Sequence, residues 1–294
     1  MKLYFKLLRV SHWVKNLFIF LPLFFSGNIL TDVKGFLQVS LGFVLFSLIA
    51  SSIYMINDLK DIESDRLHPE KKNRPFASGK VPVKTGILLS SLLFMGSITG
   101  AYYINLYFAG VLAFYFAMNI AYSMGLKHVA IIDITIIAIG FLLRVIAGGL
   151  LAEVFISHWI IIVTFLLALF LGLAKRRDDV LLFKESGQKM RKSVDGYNLE
   201  FINASMVIMA AVVIVAYIMY TISEEVVQRF HTRYLYATGL FVILGIIRYL
   251  QITFVQNKSG NPTKILLNDR FIQLVLIGWI VTFFLIIYLH KFQS

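Results

Sequence analysis

The sequence has no cysteine and five prolines, and only 15% of its 294 residues are charged. The absence of cysteine excludes disulfides, thiolate metal sites and cysteine nucleophiles. Hydrophobic residues make up 59% of the chain, whereas soluble domains have roughly 45–50% apolar and about 25% charged residues. This composition predicts an integral membrane protein and excludes a disordered, collagen-like or disulfide-stapled chain.

Nine apolar stretches approach the length of a membrane-spanning helix, which is roughly 20 residues for a hydrocarbon core about 30 Å thick. They cover approximately residues 17–30, 36–56, 85–104, 108–124, 131–151, 158–174, 201–222, 235–255 and 271–289. The first is short and contains Pro22, so we expect its span to start earlier, near His12, or to tilt or kink. The pattern predicts an all-α, polytopic membrane protein with about nine transmembrane helices.

The distribution of lysine and arginine predicts the orientation of these helices. When the loops are assigned alternately to the two sides of the membrane, 22 of the 28 Lys and Arg residues lie on the side of the N-terminus and 4 on the other. This asymmetry predicts that the N-terminus is inside and the C-terminus outside, with the lipid bilayer as a partner. Because the basic residues are spread over five membrane-flanking segments, nucleic-acid binding is not expected.

A single integral-membrane domain over residues 1–294 is expected, since no repeat, low-complexity tract or soluble domain interrupts the apolar pattern. Residues 1–16 mix basic and apolar side chains, which is typical of an amphipathic helix in the membrane interface. No small-residue cleavage site follows the first apolar stretch, so a cleaved signal peptide is not expected.

Carboxylates share one helical face directly after the second apolar stretch. On a continuing helix Asn57, Asp61 and Asp65 recur every four residues, and Asp58 lies close to the same face. Like charges at this spacing repel one another, so the arrangement calls for Mg²⁺ or a basic partner. Mg²⁺ is commonly held by one or two carboxylates together with substrate phosphates. The face therefore predicts a magnesium site for a diphosphate substrate.

A basic segment follows the acidic face, and prolines at positions 69 and 75 end the helix and fix a turn. Its candidate phosphate-binding side chains are His68, Lys71, Lys72, Arg74 and Lys80. The alternative is an ordinary charged loop in which acidic and basic side chains pair in solvent. The regular acidic spacing, joined directly to an apolar stretch, favours a binding site.

Two further clusters contain candidate substrate-binding residues. They are Tyr122, Lys127, Asp133 and Arg144 in the first cluster, and Lys175, Arg176 and Arg177 in the second. An arginine at membrane depth costs about 2.5–3.5 kcal/mol, so Arg144 is a functional candidate, with a structural ion pair as the alternative. The basic run at 175–177 is either a second anion site or a flank of the sixth span, and Arg248 with Asp269-Arg270 is interpreted as structural.

These motifs resemble a known family. Nine spans with Asn-Asp-x-x-Asp-x-x-x-Asp at residues 57–65 are similar to the UbiA-type intramembrane prenyltransferase superfamily over essentially the whole chain. The continuation His-Pro-x-Lys-x-x-Arg-Pro-x-Ala-Ser-Gly at 68–79 resembles a narrower branch, the polyprenyl-phosphate (decaprenyl-phosphate) phosphoribosyltransferases. Further stretches that resemble this branch lie at 13–16, 122–127, 133, 141–144, 175–177 and 261–270. The implied fold is a UbiA-like helix bundle.

The resemblance implies that a 5-phosphoribosyl group moves from phosphoribosyl pyrophosphate to a polyprenyl phosphate, in a bacterial plasma membrane with the active site facing the cytoplasm. The implied ligands of Mg²⁺ and the leaving pyrophosphate are Asp58, Asp61 and Asp65, oriented by Asn57. Lys71 and Arg74 would hold donor phosphates. Tyr122, Lys127 and Arg144 are candidates for the lipid phosphate or the ribose 5-phosphate, and which residue holds which stays open, as do the lipid length and a homo-oligomeric state.

Two other functions remain as alternatives. An aromatic prenyltransferase of the same superfamily would use a prenyl diphosphate donor and a second Asp-x-x-x-Asp motif after the sixth span. That loop has adjacent Asp178 and Asp179 and no such motif, which favours a lipid monophosphate as the second substrate. A transporter would line its pathway with Asp133 and Arg144, but no inverted repeat is visible in the sequence.

Overall fold

The computed structural model describes residues 2–67, 71–186, 192–258 and 262–291, and every regular element in these ranges is helical. The predicted all-α class is confirmed. The α-helices are α1 (Lys2–Leu8), α2 (Leu21–Phe25), α3 (Val33–Lys60), α4 (Ile62–Leu67), α5 (Val83–Ile104), α6 (Leu106–Met124), α7 (Ile132–Ala152), α8 (His158–Ser186), α9 (Leu199–Ile222), α10 (Glu224–Phe230), α11 (Gly239–Phe254), α12 (Pro262–Asn268) and α13 (Arg270–Lys291). Short 3₁₀-helices lie at Val10–Phe20, Lys71–Asn73, Leu126–His128, Lys192–Gly196 and Tyr234–Thr238. His68, a predicted phosphate-binding residue, lies outside the described residues.

Eight segments within the described ranges are long and apolar enough to cross a membrane. They are Val33–Lys60, Val83–Ile104, Leu106–Met124, Ile132–Ala152, His158–Glu185, Leu199–Ile222, Tyr234–Phe254 and Arg270–Ile287. These segments correspond to the last eight of the nine predicted stretches, and they confirm a multi-pass membrane protein.

The first predicted stretch differs because most of it is a 3₁₀-helix. The helical segment Val10–Phe25 starts earlier than the apolar run, as expected, and changes from 3₁₀ to α geometry at Leu21. Pro22 lies in the first turn of α2, where its missing N–H breaks no helical hydrogen bond. A 3₁₀-helix rises about 2.0 Å per residue and an α-helix about 1.5 Å, so this short segment still extends about 30 Å. Nine spans therefore remain the prediction, although this segment is shorter in residues than the other eight.

The chain forms two compact units, one comprising Met1–Leu126 and Gly140–Ile156 and the other Lys127–Ile139 and Ser157–Ser294. In the first unit α3 packs along α5, and the buried Ser52 hydroxyl donates a hydrogen bond to the Ser90 carbonyl oxygen at 2.8 Å. Small residues let these helices approach closely, as is common in membrane proteins. The expectation of a single domain stays a prediction.

The N-terminal segment packs against α3 in the first unit, and its 3₁₀ geometry explains how. Trp13 Nε1 donates to Ser51 Oγ at 3.1 Å, and Asn16 Nδ2 donates to Ser47 Oγ at 2.9 Å. Three residues of a 3₁₀-helix and four residues of an α-helix both rise about 6 Å, so rows at these two spacings stay in register. The segment predicted to lie in the membrane interface thus also has a buried face.

In the second unit α8 and α9 pack side by side, and α11 packs against both α9 and α13. The core of this unit includes Phe170 and Tyr249, whose ring centroids lie 5.3 Å apart. At the far end of α9, the Tyr217 hydroxyl accepts a hydrogen bond from Trp279 Nε1 at 2.7 Å. This hydrogen bond satisfies the indole N–H of Trp279 and connects α13 to α9.

Candidate active site

The acidic face at the end of α3 has nearly the predicted helical path. α3 ends at Lys60, and Asp61 lies in the joint before α4. The i to i−4 pattern continues through the joint, because Asp61 N donates to Asn57 O at 3.0 Å and Asp65 N donates to Asp61 O at 2.8 Å. Asp58 and Asp65 are therefore presented from two successive helices, and both are buried, with exposures of 4% and 3%.

The turn after α4 fixes the position of Arg74. Phe76 is 2% exposed and packs with Leu7, Met55 and Val81 in a small apolar cluster. A side chain at Gly86 would overlap the Phe76 ring, so glycine lets the ring lie close to α5. Gly79 closes the turn with a φ of 71°, in the left-handed region that glycine adopts readily. The turn is therefore anchored directly after Arg74.

Arg74 joins the two buried carboxylates. Its Nη1 lies 2.9 Å from Asp58 Oδ1 and 2.7 Å from Asp65 Oδ2. One guanidinium nitrogen thus stands at the point where two carboxylate oxygens converge. Because unpaired carboxylates in such an environment are costly, this cation neutralises charge that the helix geometry brings together.

Arg9 contributes a second cation that the sequence did not predict. It lies between α1 and the 3₁₀-helix Val10–Phe20 in a left-handed conformation, with φ 50°. Its Nη2 pairs with Asp58 Oδ1, and its guanidinium lies 4.8 Å from the ring centre of Tyr54. A strained conformation at such a contact is often functional. Among the basic residues at the N-terminus, no local pattern distinguishes Arg9, since its partner is 49 positions away.

The acidic pair fits Mg²⁺ only as a partial ligand set. Among the described residues, no group of three or more His, Cys, Asp or Glu side chains is positioned to hold a metal ion. Mg²⁺ is usually held by one or two carboxylates together with substrate phosphates, so two converging carboxylates are a sufficient protein contribution. The point between Asp58 and Asp65 already accommodates a positively charged group, namely Arg74. The third predicted ligand, Asp61, is adjacent in the joint and partly exposed.

The other predicted site residues of the first unit differ in solvent exposure. Asn57 and Tyr122 are partly buried and Lys71 is exposed. Lys60, at the end of α3, donates to the Ser123 carbonyl oxygen at 2.8 Å and so connects the acidic end of α3 to the end of α6. Their predicted roles stay predictions.

Arg144 lies in a neutral cage within the first unit and is 6% exposed. Its Nε donates to Asn16 Oδ1 at 2.8 Å, its Nη1 to the Gly140 carbonyl oxygen at 2.6 Å and its Nη2 to the Tyr115 hydroxyl at 3.0 Å. The guanidinium also lies within 4.8 to 5.4 Å of the ring centres of Phe46, Tyr115 and Phe141. The alternative of an ion pair with another helix is absent among the described residues, because none of these partners is a carboxylate.

Asp133 and Arg176 pair inside the second unit. Arg176 is fully buried and contacts two carboxylates, those of Asp133 and Asp179. The Arg176 Nε and Asp133 Oδ2 atoms lie 2.9 Å apart, but the N–H does not point at the oxygen. We therefore regard this contact as an ion pair and not as an aligned hydrogen bond.

Tyr197 completes this buried group. Its hydroxyl donates to Asp133 Oδ1 at 2.7 Å and accepts from the Ile131 N–H at 2.7 Å. Burial raises the pKa of Tyr197 well above its ordinary value, so the phenol remains a donor. These contacts fix the start of α7, and both carboxylate oxygens of Asp133 contact residues of the protein itself.

The basic run after the sixth span is also largely engaged. Arg177 donates to Asn203 Oδ1 at 3.0 Å, to the Thr253 carbonyl oxygen at 2.7 Å and to Asn257 Oδ1 at 3.0 Å, linking α8 to α9 and to the end of α11. Lys175 is partly buried, as is the predicted residue Lys127. The geometry favours a packing role for Arg176 and Arg177, and the roles of Lys127 and Lys175 in binding substrate stay predictions.

The interpretation of Arg248 and Asp269 as structural agrees with their pairing. Arg248 Nη2 lies 2.8 Å from Asp269 Oδ2, and Asp269 Oδ1 also accepts from the Ile272 N–H at 2.9 Å at the start of α13. The hydrogen bond from Arg248 lowers the pKa of Asp269 below its ordinary value. This carboxylate therefore caps α13 and joins it to α11.

Comparisons with known proteins agree with this architecture. The UbiA prenyltransferase family profile matches residues 16–275. The decaprenyl-phosphate phosphoribosyltransferase of Mycolicibacterium smegmatis is 34% identical over 288 residues, covering 94% of this chain and 90% of that protein. The protein of the same name from Mycobacterium tuberculosis is 31% identical over 280 residues, covering 94% and 91%.

A solved structure is similar over nearly its whole length. The UbiA homolog from Archaeoglobus fulgidus bound to DMAPP and Mg²⁺ has a TM-score of 0.72 and 19% identity, covering 97% of this chain and 99% of that chain. At this identity the likeness shows the fold, and it confirms the predicted UbiA-like bundle. With the family profile covering most of the sequence and the acidic motif at the end of α3, this chain belongs to the UbiA prenyltransferase family.

Proposed function

We propose that this chain is a transferase that moves the 5-phosphoribosyl group from phosphoribosyl pyrophosphate to a polyprenyl phosphate and releases pyrophosphate. The observation that carries the proposal is the pair of buried carboxylates, Asp58 and Asp65, bridged by Arg74. Such a group offers both metal ligands and a diphosphate-binding cation in one place. The names of the mycobacterial relatives, which align with 94% of this chain, support the phosphoribosyl donor and the lipid phosphate acceptor.

Asp58 and Asp65, joined by Asp61, would hold Mg²⁺ together with the donor diphosphate. Bound Mg²⁺ would neutralise charge on the diphosphate and on the pyrophosphate as it leaves. When the donor binds, we expect Arg74 and Arg9 to exchange their carboxylate partners for diphosphate oxygens, because guanidinium groups bind both in the same bidentate geometry. Asn57 would orient the carboxylates, and Lys71 would contact the donor phosphates from the exposed side.

The reaction needs no strong base. The bond between the ribose C1 and the pyrophosphate oxygen breaks, the bonding electron pair leaves with pyrophosphate, and a phosphate oxygen of the lipid forms the new bond to C1. A phosphate monoester is already anionic, so no proton has to be removed before the attack. Electrostatic stabilisation of the departing pyrophosphate by Arg9 and Arg74 is therefore expected to be the main contribution of these side chains to the rate.

The membrane supplies the second substrate. The apolar helices expose large hydrophobic side chains along their length, as expected for surfaces in contact with lipid. The polyprenyl tail of the substrate would lie in the bilayer against these side chains. The basic loops favour an orientation in a plasma membrane with the N-terminus inside and the C-terminus outside. The active site would then face the cytoplasm.

The test is a matched assay on the purified protein in detergent with Mg²⁺. Phosphoribosyl pyrophosphate plus a polyprenyl phosphate is compared with a polyprenyl diphosphate plus an aromatic acid, and lipid products are identified by mass spectrometry. A phosphoribosyl lipid that disappears with EDTA is expected in the first reaction. A prenylated aromatic in the second reaction and no product in the first would overturn the proposal in favour of an ordinary prenyltransferase.

A matched pair of variants separates catalysis from folding. Asp61→Asn is expected to lose most turnover, because it removes a metal-binding charge while preserving shape. Asp32→Asn makes the same chemical change at the other end of α3, where Asp32 Oδ1 accepts from the Gly35 N–H at 2.8 Å. Asparagine caps helices as well as aspartate, so this control should retain turnover.

A further inference from the structure

Two cations of the first unit lie together without a carboxylate. One is Arg144, whose three hydrogen-bond acceptors are an amide, a carbonyl and a phenol. A guanidinium has five N–H groups, so two of them have no acceptor within the described part of the chain. The other cation is Lys15, one residue before the asparagine that holds Arg144 Nε.

Lys15 is partly buried on the 3₁₀-helix Val10–Phe20. The ionisable groups that act on its ammonium are Arg144, Tyr115 and Arg9, which are two cations and a phenol. The described residues provide no hydrogen-bond acceptor and no ion-pair partner for it. Asp58, the acidic residue that Arg9 contacts, is already shared by Arg9 and Arg74.

Isolated positive charges away from bulk water are unfavourable unless an anion compensates them. Aromatic rings and neutral acceptors hold the Arg144 guanidinium in place but leave its charge uncancelled. Two neighbouring positive charges match one dianion, and a phosphate monoester approaches a charge of −2 near neutral pH. A fixed guanidinium beside a more mobile ammonium is also a common way to bind phosphate.

The location connects this pair to the acidic site. In a 3₁₀-helix residues three apart share a face, so His12 and Lys15 lie in one row, and Arg9 lies directly before the start of this helix. Arg9 contacts Asp58, and Lys15 lies six residues further along, about 12 Å at the 3₁₀ rise. Long side chains bring the two charged heads closer than their backbones, within the reach of one sugar phosphate or of two substrates that react with each other.

We propose that Lys15 and Arg144 form a binding site for a phosphate monoester dianion, with Asn16 and Tyr115 positioning the guanidinium. The proposal rests on the proposed function for its two sources of that group, the 5-phosphate of the ribosyl donor and the phosphate of the lipid acceptor. Lys15 provides the mobile charge of the site and Arg144 the fixed one.

The test uses binding probes on the full-length protein in detergent without Mg²⁺. Ribose 5-phosphate represents the donor phosphate, and farnesyl phosphate represents the acceptor phosphate. Lys15→Met removes the charge and keeps the length of the side chain, Lys15→Arg keeps the charge, and Lys34→Met is the control. Lys34 is exposed at the start of α3, 24 residues from Asp58 and so about 36 Å along the helix.

Lys15→Met is expected to weaken one of the two probes roughly tenfold or more, as expected for loss of a charge-assisted hydrogen bond. Lys15→Arg and Lys34→Met should bind both probes nearly as the wild type does. Loss confined to ribose 5-phosphate assigns the site to the donor, and loss confined to farnesyl phosphate assigns it to the acceptor. Without ligand, Lys15→Met should melt at the same temperature as the wild type or higher, because it removes an uncompensated charge.

Unchanged binding of both probes by Lys15→Met, or no binding of either probe by the wild type, would overturn the site. These arms require no turnover and are therefore independent of the reaction assay. If the wild type binds a probe through Lys15 but makes no phosphoribosyl lipid, the proposed reaction fails and the phosphate site stands. If it makes the lipid while Lys15→Met binds both probes normally, the site fails and the reaction stands.

Discussion

Replacing Arg74 with methionine should destabilise the protein in the absence of metal and make it more responsive to Mg²⁺. The substitution leaves Asp58 and Asp65 together with one cation, Arg9, where two cations stood. Removing one partner of a buried ion pair typically costs about 3–5 kcal/mol. Because Arg74 is 27% exposed and Arg9 still neutralises Asp58, we expect the lower end, about 3 kcal/mol.

The measurement is thermal unfolding in detergent, followed by tryptophan fluorescence with EDTA and then across a Mg²⁺ titration. A destabilisation of this size corresponds to a melting temperature lower by roughly 5–10 °C for a chain of this length. In the variant Mg²⁺ has no guanidinium to displace, so a given Mg²⁺ concentration should raise its melting temperature more than that of the wild type. Turnover should fall at all Mg²⁺ concentrations, since the diphosphate-binding cation is missing.

Arg233→Met is the matched control, because Arg233 is an exposed arginine in the second unit. It should melt within about 1 °C of the wild type, as surface substitutions usually change stability by less than about 0.5 kcal/mol. The reasoning is refuted if Arg74→Met and the wild type melt at the same temperature in EDTA. It is also refuted if Mg²⁺ stabilises both equally, because the carboxylate pair would then not be the metal site.

Three further predictions concern packing, the N-terminal arginine and pH. Gly148→Ala should lower the melting temperature, because a Cβ there would overlap the Ile19 carbonyl oxygen. Gly96→Ala is the control, since Gly96 has open space around it, and this variant should melt at the wild-type temperature or higher. Equal melting temperatures for the two variants would contradict the close approach of Gly148 to the Ile19 backbone. Arg9→Met should reduce turnover more than Arg9→Lys in the phosphoribosyl assay if Arg9 binds the diphosphate, and equal rates for both variants and the wild type would exclude that role. The lowered pKa of Asp269 means that its pairing with Arg248 stabilises the fold above the ordinary value of 3.8 and is lost as pH falls through the lower folded-state pKa. The melting-temperature difference between the wild type and Asp269→Asn should therefore shrink only below about pH 4, and a difference constant down to pH 2 would contradict the pairing.

Much of the architecture was predictable because it depends on local composition. Long apolar stretches form helices in a membrane because the lipid offers no hydrogen-bond partner for their backbone groups. Eight of the nine predicted spans are helices long and apolar enough to cross a membrane. The acidic face was also predictable from local sequence, since residues four apart share a side of a helix. The carboxylates at Asp58 and Asp65 accordingly lie together.

The partners of the charged residues were not predictable. Arg9 and Asp58 are 49 positions apart, Asn16 and Arg144 are 128 apart, and Tyr197 and Asp133 are 64 apart. In a sequence, a basic residue that caps a buried carboxylate looks the same as one that flanks a membrane span. Arg176 illustrates this, because it belongs to a basic run but is fully buried between two carboxylates.

The membrane class, the helices and the acidic motif could be predicted from the sequence, because each follows from hydrophobicity and periodicity over neighbouring residues. The tertiary structure alone decided which cations neutralise the motif and which cations keep an uncompensated charge. It also decided that the N-terminal segment is a 3₁₀-helix, whose rise matches the rows of α3. Both outcomes depend on contacts between distant segments, where packing and desolvation, and not local preference, set the free energy.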